Sequence, residues 1–344
     1  MPADDTVPAA LWPPGAACGV GSLPGTSIRD AVQLVLAELP DLGYLPELPA
    51  RGPGAEITGR VLGLLTDFPA EWGPTGWVLV DRVGRDSRRA AAWLDEDLDA
   101  LEELAEGWNG PLKVQLCGPW TLAATVELRS GRKMLADPGA MRDLHQAYVE
   151  AVAGHVAEVA KRLPSATVLV QLDEPALPYV LEGSVPTPSG LSRLAAIDRQ
   201  TVEGVFRQVG AVATVGVHCC AAAPPLRVLS DAGVRFLSLD ATVLTEADDD
   251  PLGEALEAGV ALLLGLVPAV PARAGDRPLP VAEAAAPARR LWERLGLTAD
   301  ELRAVAVTPT CGLSGASPDY ARAAHVRCRE VAAQLSEDRE RPRG

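Results

Sequence analysis

The chain has 344 residues, 48% of them hydrophobic but only 4% aromatic, so its core must be built mostly of Ala, Val and Leu. Acidic residues outnumber basic ones by 46 to 31, a formal charge of −15, which excludes the basic footprint of a nucleic-acid-binding protein. The longest strongly apolar run, residues 260–270, is too short for a bilayer span of about 20 residues, and residues 1–17 carry Asp4 and Asp5 without a basic n-region. Residues 1–17 therefore read as a flexible, Pro-rich tail, and the chain as a cytoplasmic protein with no membrane partner.

In chain order, a strand at 18–22 leads through the turn Gly21-Ser22-Leu23-Pro24-Gly25-Thr26 into a helix at 27–39. Backbone N–H groups of that turn and the Ser22 hydroxyl suit a substrate carboxylate. The same residues also suit a helix start with Thr26 or Ser27 as N-cap. A second strand at 43–48 is interrupted by Pro46 and Pro49. The run 76–81 then reads as part of an excursion before the helix at 86–106. A strand at 112–117 is followed by a helix at 138–163. The strand at 167–173 ends on Asp173 and Glu174 and precedes a helix at 191–209. The remaining strands, 213–218, 234–240, 260–267 and 303–308, alternate with helices at 223–232, 250–258, 282–295 and 318–335. The strands are Val- and Leu-rich without clean alternation, as in parallel strands buried on both faces. Eight βα alternations predict a single-domain (β/α)8 TIM barrel over residues 18–338.

In such a barrel the site forms at the C-terminal ends of the strands. Ser22, Asp173, His218, Cys220 and Asp240 fall at or just beyond strand ends, and Cys311 follows the last strand. The six cysteines, 18, 117, 219, 220, 311 and 328, are too sparse for a disulfide framework; such cysteines are buried, catalytic or metal-bound. Zinc favours thiolate and imidazole ligands in tetrahedral geometry. His218, Cys220, Asp240 and Cys311 thus form a candidate zinc set. Against this stands the reading of His218-Cys219-Cys220 as core residues, since free Cys is among the most buried types. Cys219 points the other way along its strand. A carboxylate at 173 or 174 facing the mouth can hold an ammonium group, or else it caps the following helix. No G-x-G-x-x-G opens a helix and no P-loop occurs, so dinucleotide and nucleotide triphosphate chemistry lack support.

Val20–Pro24 (V-G-S-L-P), Gly118–Leu122 (G-P-W-T-L), Gln171–Leu177 (Q-L-D-E-P-A-L), the H-C-C at 218–220, Phe236–Asp240 (F-L-S-L-D) and Thr308–Leu313 (T-P-T-C-G-L) occur in one order across nearly the whole chain. Together they resemble the C-terminal barrel of cobalamin-independent methionine synthase, in a single-barrel form. The resemblance implies one zinc ion that binds the homocysteine sulfur and activates it for methyl transfer. It places the metal ligands on His218, Cys220, Cys311 and Asp240, where the family usually has Glu. It puts homocysteine on Gly21 and Ser22 through its carboxylate, and on Asp173, also the catalytic carboxylate, through its ammonium. A further glutamate falls on Glu47. The family's D-x-H-S-P segment has no counterpart histidine here, where the stretch is Gly265-Leu266-Val267-Pro268. His145, His155 and His325 lie in helical patterns and read as surface or packing residues. The methyl donor is then methyltetrahydrofolate or a methylcorrinoid protein, with the corrinoid favoured. Three alternatives stay open: methyl transfer to or from a different thiol, as with methylcobalamin, a zinc-stabilised barrel without turnover, and an unmetallated barrel.

Overall fold

The computed structural model describes residues 10–297 and 305–340, without the side chains of 338–340. The strands are β1 (Gly43–Tyr44), β2 (Ala70–Gly73), β3 (Gly76–Leu79), β4 (Pro111–Cys117), β5 (Thr167–Asp173), β6 (Val215–Cys219), β7 (Phe236–Asp240), β8 (Ala261–Val267) and β9 (Val305–Pro309). The helices are α1 (Ile28–Glu38), α2 (Ile57–Leu64), α3 (Arg85–Leu104), α4 (Pro119–Thr125), α5 (Pro138–Arg162), α6 (Leu177–Glu182), α7 (Arg199–Gly210), α8 (Leu226–Asp231), α9 (Asp249–Glu257), α10 (Val281–Leu295) and α11 (Pro318–Glu340). β1 and β4 to β9 form one sheet in sequence order, and every neighbouring pair is parallel. All seven residues of β8, Ala-Leu-Leu-Leu-Gly-Leu-Val, are buried, as a strand covered on both faces requires.

The sheet curls, and one extended segment spans its two edges. On the β9 side Cys18 N donates to Val307 O at 2.9 Å and Val307 N to Ala16 O at 3.1 Å. On the other side Leu23 N donates to Glu47 O at 2.8 Å and Glu47 N to Gly21 O at 3.1 Å. The segment predicted as the first strand at 18–22 therefore bonds at both ends without forming a continuous ladder. The predicted second strand keeps only Gly43–Tyr44 as regular strand. Pro46 has no N–H to give, and pairing resumes at Glu47, opposite Ser22.

Several boundaries differ from the sequence reading for local reasons. The Asp198 side chain accepts from Thr201 N at 2.9 Å and caps α7, which starts at Arg199 rather than at 191. The helices α2, α4 and α6, of 8, 7 and 6 residues, are too short to show helical periodicity and were not predicted. The excursion before α3 holds α2 and the antiparallel hairpin β2–β3, separate from the main sheet. Residues 12–17 belong to the packed chain and not to a tail. Trp12 is 3% exposed, with its ring edge-on to Phe236 at 5.7 Å, and Ala16 and Ala17 are buried. Residues 303–304 of the predicted last strand lie outside the described residues, as do 1–9 of the predicted tail. No helix among the described residues is long and apolar enough to cross a membrane.

Candidate metal and thiol site

β6 ends on Cys219, so His218 and Cys220 lie at its C-terminal end, two residues apart and on one face. Cys311 follows β9 by two residues. One nitrogen of His218 and the sulfurs of Cys220 and Cys311 all lie within 4.8 Å of one another. The two sulfurs are 3.3 Å apart. His218 Nδ1 meets Ser238 Oγ at 3.0 Å, while Nε2 is buried without a hydrogen-bond partner. In a tetrahedral zinc site with Zn–S of about 2.3 Å, two sulfurs stand about 3.8 Å apart. The donors thus fit the ion in kind and nearly in spacing. Without an ion, the Cys220–Cys311 hydrogen bond pushes the Cys220 thiol up. The same bond, with the neighbouring His218 imidazole, pulls Cys311 down to about 4. The pair is built to share one proton, or to lose it to a cation.

Asp240 ends β7 but is not among these three. Its Oδ1 accepts from Thr242 N at 2.8 Å and from Thr242 Oγ1 at 2.6 Å, so the carboxylate closes its own turn. Cys219 is buried on the opposite face, and burial pushes its thiol up to about 11. Cys18, Cys117 and Cys328 are buried.

The carboxylate side of the mouth is drier. Asp173 is 7% exposed, and its Oδ1 accepts from Gln171 Nε2 at 2.7 Å. Burial raises it, against the opposing fields of His218 and Lys113. Lys113, fully buried on β4, donates to Val20 O at 2.7 Å, and its ammonium stands 5.3 Å from the Tyr44 ring centroid. Burial lowers its pKa. Glu47 is 3% exposed, and burial lifts it to about 7 while Arg60 opposes the rise and Asp173 adds to it. Glu47 Oε1 has no hydrogen-bond partner, and the same holds for Gln171 Oε1. The parallel bridge Ser22–Glu47 brings the first turn of the chain to this side. Leu313 N donates to Ser22 O at 2.8 Å, which ties that turn to the Cys311 loop. Gly21 is required, because a Cβ there would stand 2.8 Å from the Gln115 side chain.

The two carboxylates after β5 have separate tasks. Glu174 caps a helix, but that helix is α4, which precedes it in the chain. Its oxygens accept from Trp120 N at 3.0 Å, Thr121 N at 2.8 Å and Thr121 Oγ1 at 2.7 Å. Gly118 leaves room for it, since a Cβ would stand 2.2 Å from Glu174 Oε1. Burial lifts Glu174 to about 7, and these donors oppose the rise.

Sequence reasoning missed Ser238, Lys113, Gln115 and Gln171. Ser238 and Gln171 each lie two residues before a predicted site residue on the same strand, and that alternation was the available signal. Of the other histidines, His155 and His325 are buried packing residues, and His325 Nε2 meets Tyr44 Oη at 3.2 Å. His145 lies edge-on to Trp120 with ring centroids 4.9 Å apart. Burial pulls all three down to about 4.

Residues 109–334 match the family model described as cobalamin-independent synthase, catalytic domain. A solved structure of a B12-independent methionine synthase from Shewanella sp. W3-18-1, in complex with selenomethionine, has a similar fold. It superposes with a TM-score of 0.61 at 13% identity, over 96% of this chain and 99% of that one. No curated protein matches the chain.

Proposed function

The chain belongs to the family of the cobalamin-independent synthase catalytic domain, and from that premise we propose that it is a zinc-dependent S-methyltransferase that makes methionine from homocysteine. The observation that carries the proposal is the group of His218, Cys220 and Cys311 with His218 Nε2 left unpartnered. These three residues would hold the ion. Bound zinc supplies a Lewis acid that lowers the pKa of a coordinated thiol, so that the thiolate is available near neutral pH. With three protein ligands, an ion held here would keep a fourth position for the substrate sulfur. Asp240 lies outside this group of three, with its Oδ1 held by Thr242.

The rest of the reading places homocysteine across the mouth. Its ammonium lies at Asp173 and Glu47, and its carboxylate at the Gly21-Ser22 turn. Asp173, oriented by Gln171, is the residue assigned to catalysis. We read the segment 16–23 as the eighth stave of a (β/α)8 barrel, because it bonds to both edges of the curled sheet. The stretch at the end of β8, Gly265-Leu266-Val267-Pro268, offers no acid. This favours a methylcorrinoid over methyltetrahydrofolate, whose leaving nitrogen needs a proton.

The test is direct. The purified chain is assayed for bound zinc, then incubated with homocysteine and, separately, methylcobalamin or methyltetrahydrofolate. One zinc per chain and methionine with at least one donor are expected. Stoichiometric zinc with no methionine from either donor would overturn the transferase reading.

A further inference from the structure

Behind Glu47 lies a chain of buried charges that the proposed reaction does not use. Arg60 on α2 has a side chain 2% exposed, and its Nε stands 3.8 Å from Glu47 Oε1, beyond hydrogen-bond reach. Its Nη1 instead donates to Asp97 on α3, whose side chain is fully buried, and reaches Pro46 O at 3.4 Å. Asp97 takes a second cation, Arg51, at 2.8 Å. Arg51 lies over the Trp93 ring at 5.4 Å. The charges alternate outward from the mouth: Glu47, Arg60, Asp97, Arg51.

The lengths along this chain are uneven. A buried pair kept for stability alone would close to a direct, charge-assisted bond of about 2.8 Å. Here Asp97 holds Arg60 back, and both Glu47 Oε1 and Arg60 Nε are left without hydrogen-bond partners. Glu47 thus feels a cation at Oε1 without being capped by it. Resting on the homocysteine reading above, we propose that Arg60, clamped by Asp97, is a positioning residue that holds Glu47 as the anionic partner of the ammonium group of an α-amino-acid thiol.

The surroundings support this. Burial pushes the Glu47 carboxyl up to about 7, and the Arg60 field is the largest force opposing that rise. Lys113 from β4 and Asp173 from β5 also act on Glu47, in opposite directions, with Gln115 beside it. His155 on α5 lies in the field of Arg60 and is itself held uncharged by burial. Without Arg60, Glu47 would bind a proton at neutral pH and lose its attraction for an ammonium group.

Calorimetry on the zinc-loaded full chain tests the role. The two ligands are homocysteine and γ-mercaptobutyrate, which keeps the thiol and carboxylate but lacks the amino group. The wild type should prefer homocysteine. At about pH 7, Arg60→Met should lose about fivefold of that preference, the change in ionised fraction when a carboxylate near 7 rises by one unit, and regain part of it at about pH 8.5. Arg60→Lys should keep most of the preference, Asp97→Asn should lose part of it, and zinc content should stay at the wild-type level in each. A purely structural role would lower stability and leave the preference alone. An Arg60→Met preference within about twofold of wild type would overturn the proposal; Asp97→Asn decides in its place if Arg60→Met does not fold. A wild type that binds neither thiol would instead overturn the homocysteine reading itself.

Discussion

The two sides of the mouth are built differently. On the side of β6, β7 and β9, His218, Cys220 and Cys311 converge, and the buried His218 Nε2 has no hydrogen-bond partner among the described residues. On the side of β4 and β5, Asp173 and Lys113 are buried, and each already has a hydrogen bond within the chain. The first side gathers three donors that could hold one ion. The second is preorganised, and its bonds stand whether or not a ligand is present. Soft donors must meet a metal whose bond lengths they share, whereas a carboxylate must be held apart from competing donors to stay selective for an ammonium group.

The sharpest way to break this comparison is to remove a sulfur. Cys220→Ser and Cys311→Ser should each lose nearly all bound zinc, measured by elemental analysis of the purified protein, and thiol methylation with it. Stoichiometric zinc in both variants would mean that the three residues are a packed core cluster. On the other side, Asp173→Asn keeps the shape but removes the charge. We expect homocysteine affinity to fall by about tenfold or more, the worth of a lost charge-assisted contact, with zinc retained. Loss of zinc in Asp173→Asn would show that the two sides are not independent.

Glu174 separates support from chemistry. Glu174→Ala would leave Trp120 N, Thr121 N and Thr121 Oγ1 without their acceptor in buried space. The expected cost is about 2 kcal/mol of stability, read by denaturant unfolding at near-neutral pH, with the zinc stoichiometry unchanged. The pH dependence has a definite sign. The folded pKa of about 7 lies above the ordinary glutamate value of 4.5, so the native state holds a proton that the unfolded chain releases. This contribution favours folding at low pH and fades as pH rises from about 4.5 to about 7. Glu174→Ala should flatten that part of the profile, and an unchanged slope would remove Glu174 as its source.

How much of this was legible in the sequence depended on range. Strand ends mark where a barrel presents its side chains, so His218, Cys220, Cys311 and Asp173 could be placed from local pattern and order. The pairing of Glu174 with α4 was not legible, because a cap reaching back from residue 174 to residues 120 and 121 has no local signature. Arg60 was invisible for a related reason: α2 is eight residues long and lies in an excursion with no periodic pattern to fix its facing. The extent of the tail was misjudged because Trp12 meets its partner, Phe236, only across a long stretch of chain in the folded structure.

Smaller effects test the support of the metal side. Ser238 Oγ is the partner of His218 Nδ1 at 3.0 Å, which fixes the imidazole and leaves Nε2 as its unengaged nitrogen. Ser238→Ala should weaken zinc affinity by about tenfold, toward the low end for loss of a histidine's outer hydrogen bond, measured by competition with a chelator. An unchanged affinity would mean that packing alone orients the ring.

The smallest expected effect falls on Asp240, and it separates a three-ligand site from a four-ligand one. The side chain is one methylene shorter than the glutamate usual in the family, and its Oδ1 is taken by Thr242 N and Oγ1. Oδ1 closes the turn at Thr242, and the two bonds there are together worth about 2 kcal/mol to the fold. If the fourth position belongs to the substrate sulfur, Asp240→Ala should change zinc affinity by less than about threefold. It should lower stability modestly, since the turn at Thr242 loses its acceptor, and leave homocysteine binding to the zinc-loaded protein intact. If Asp240 is a ligand, the same substitution removes one of four donors and zinc should be lost about as fully as in Cys311→Ser. Chelator competition on the two variants side by side tells these cases apart.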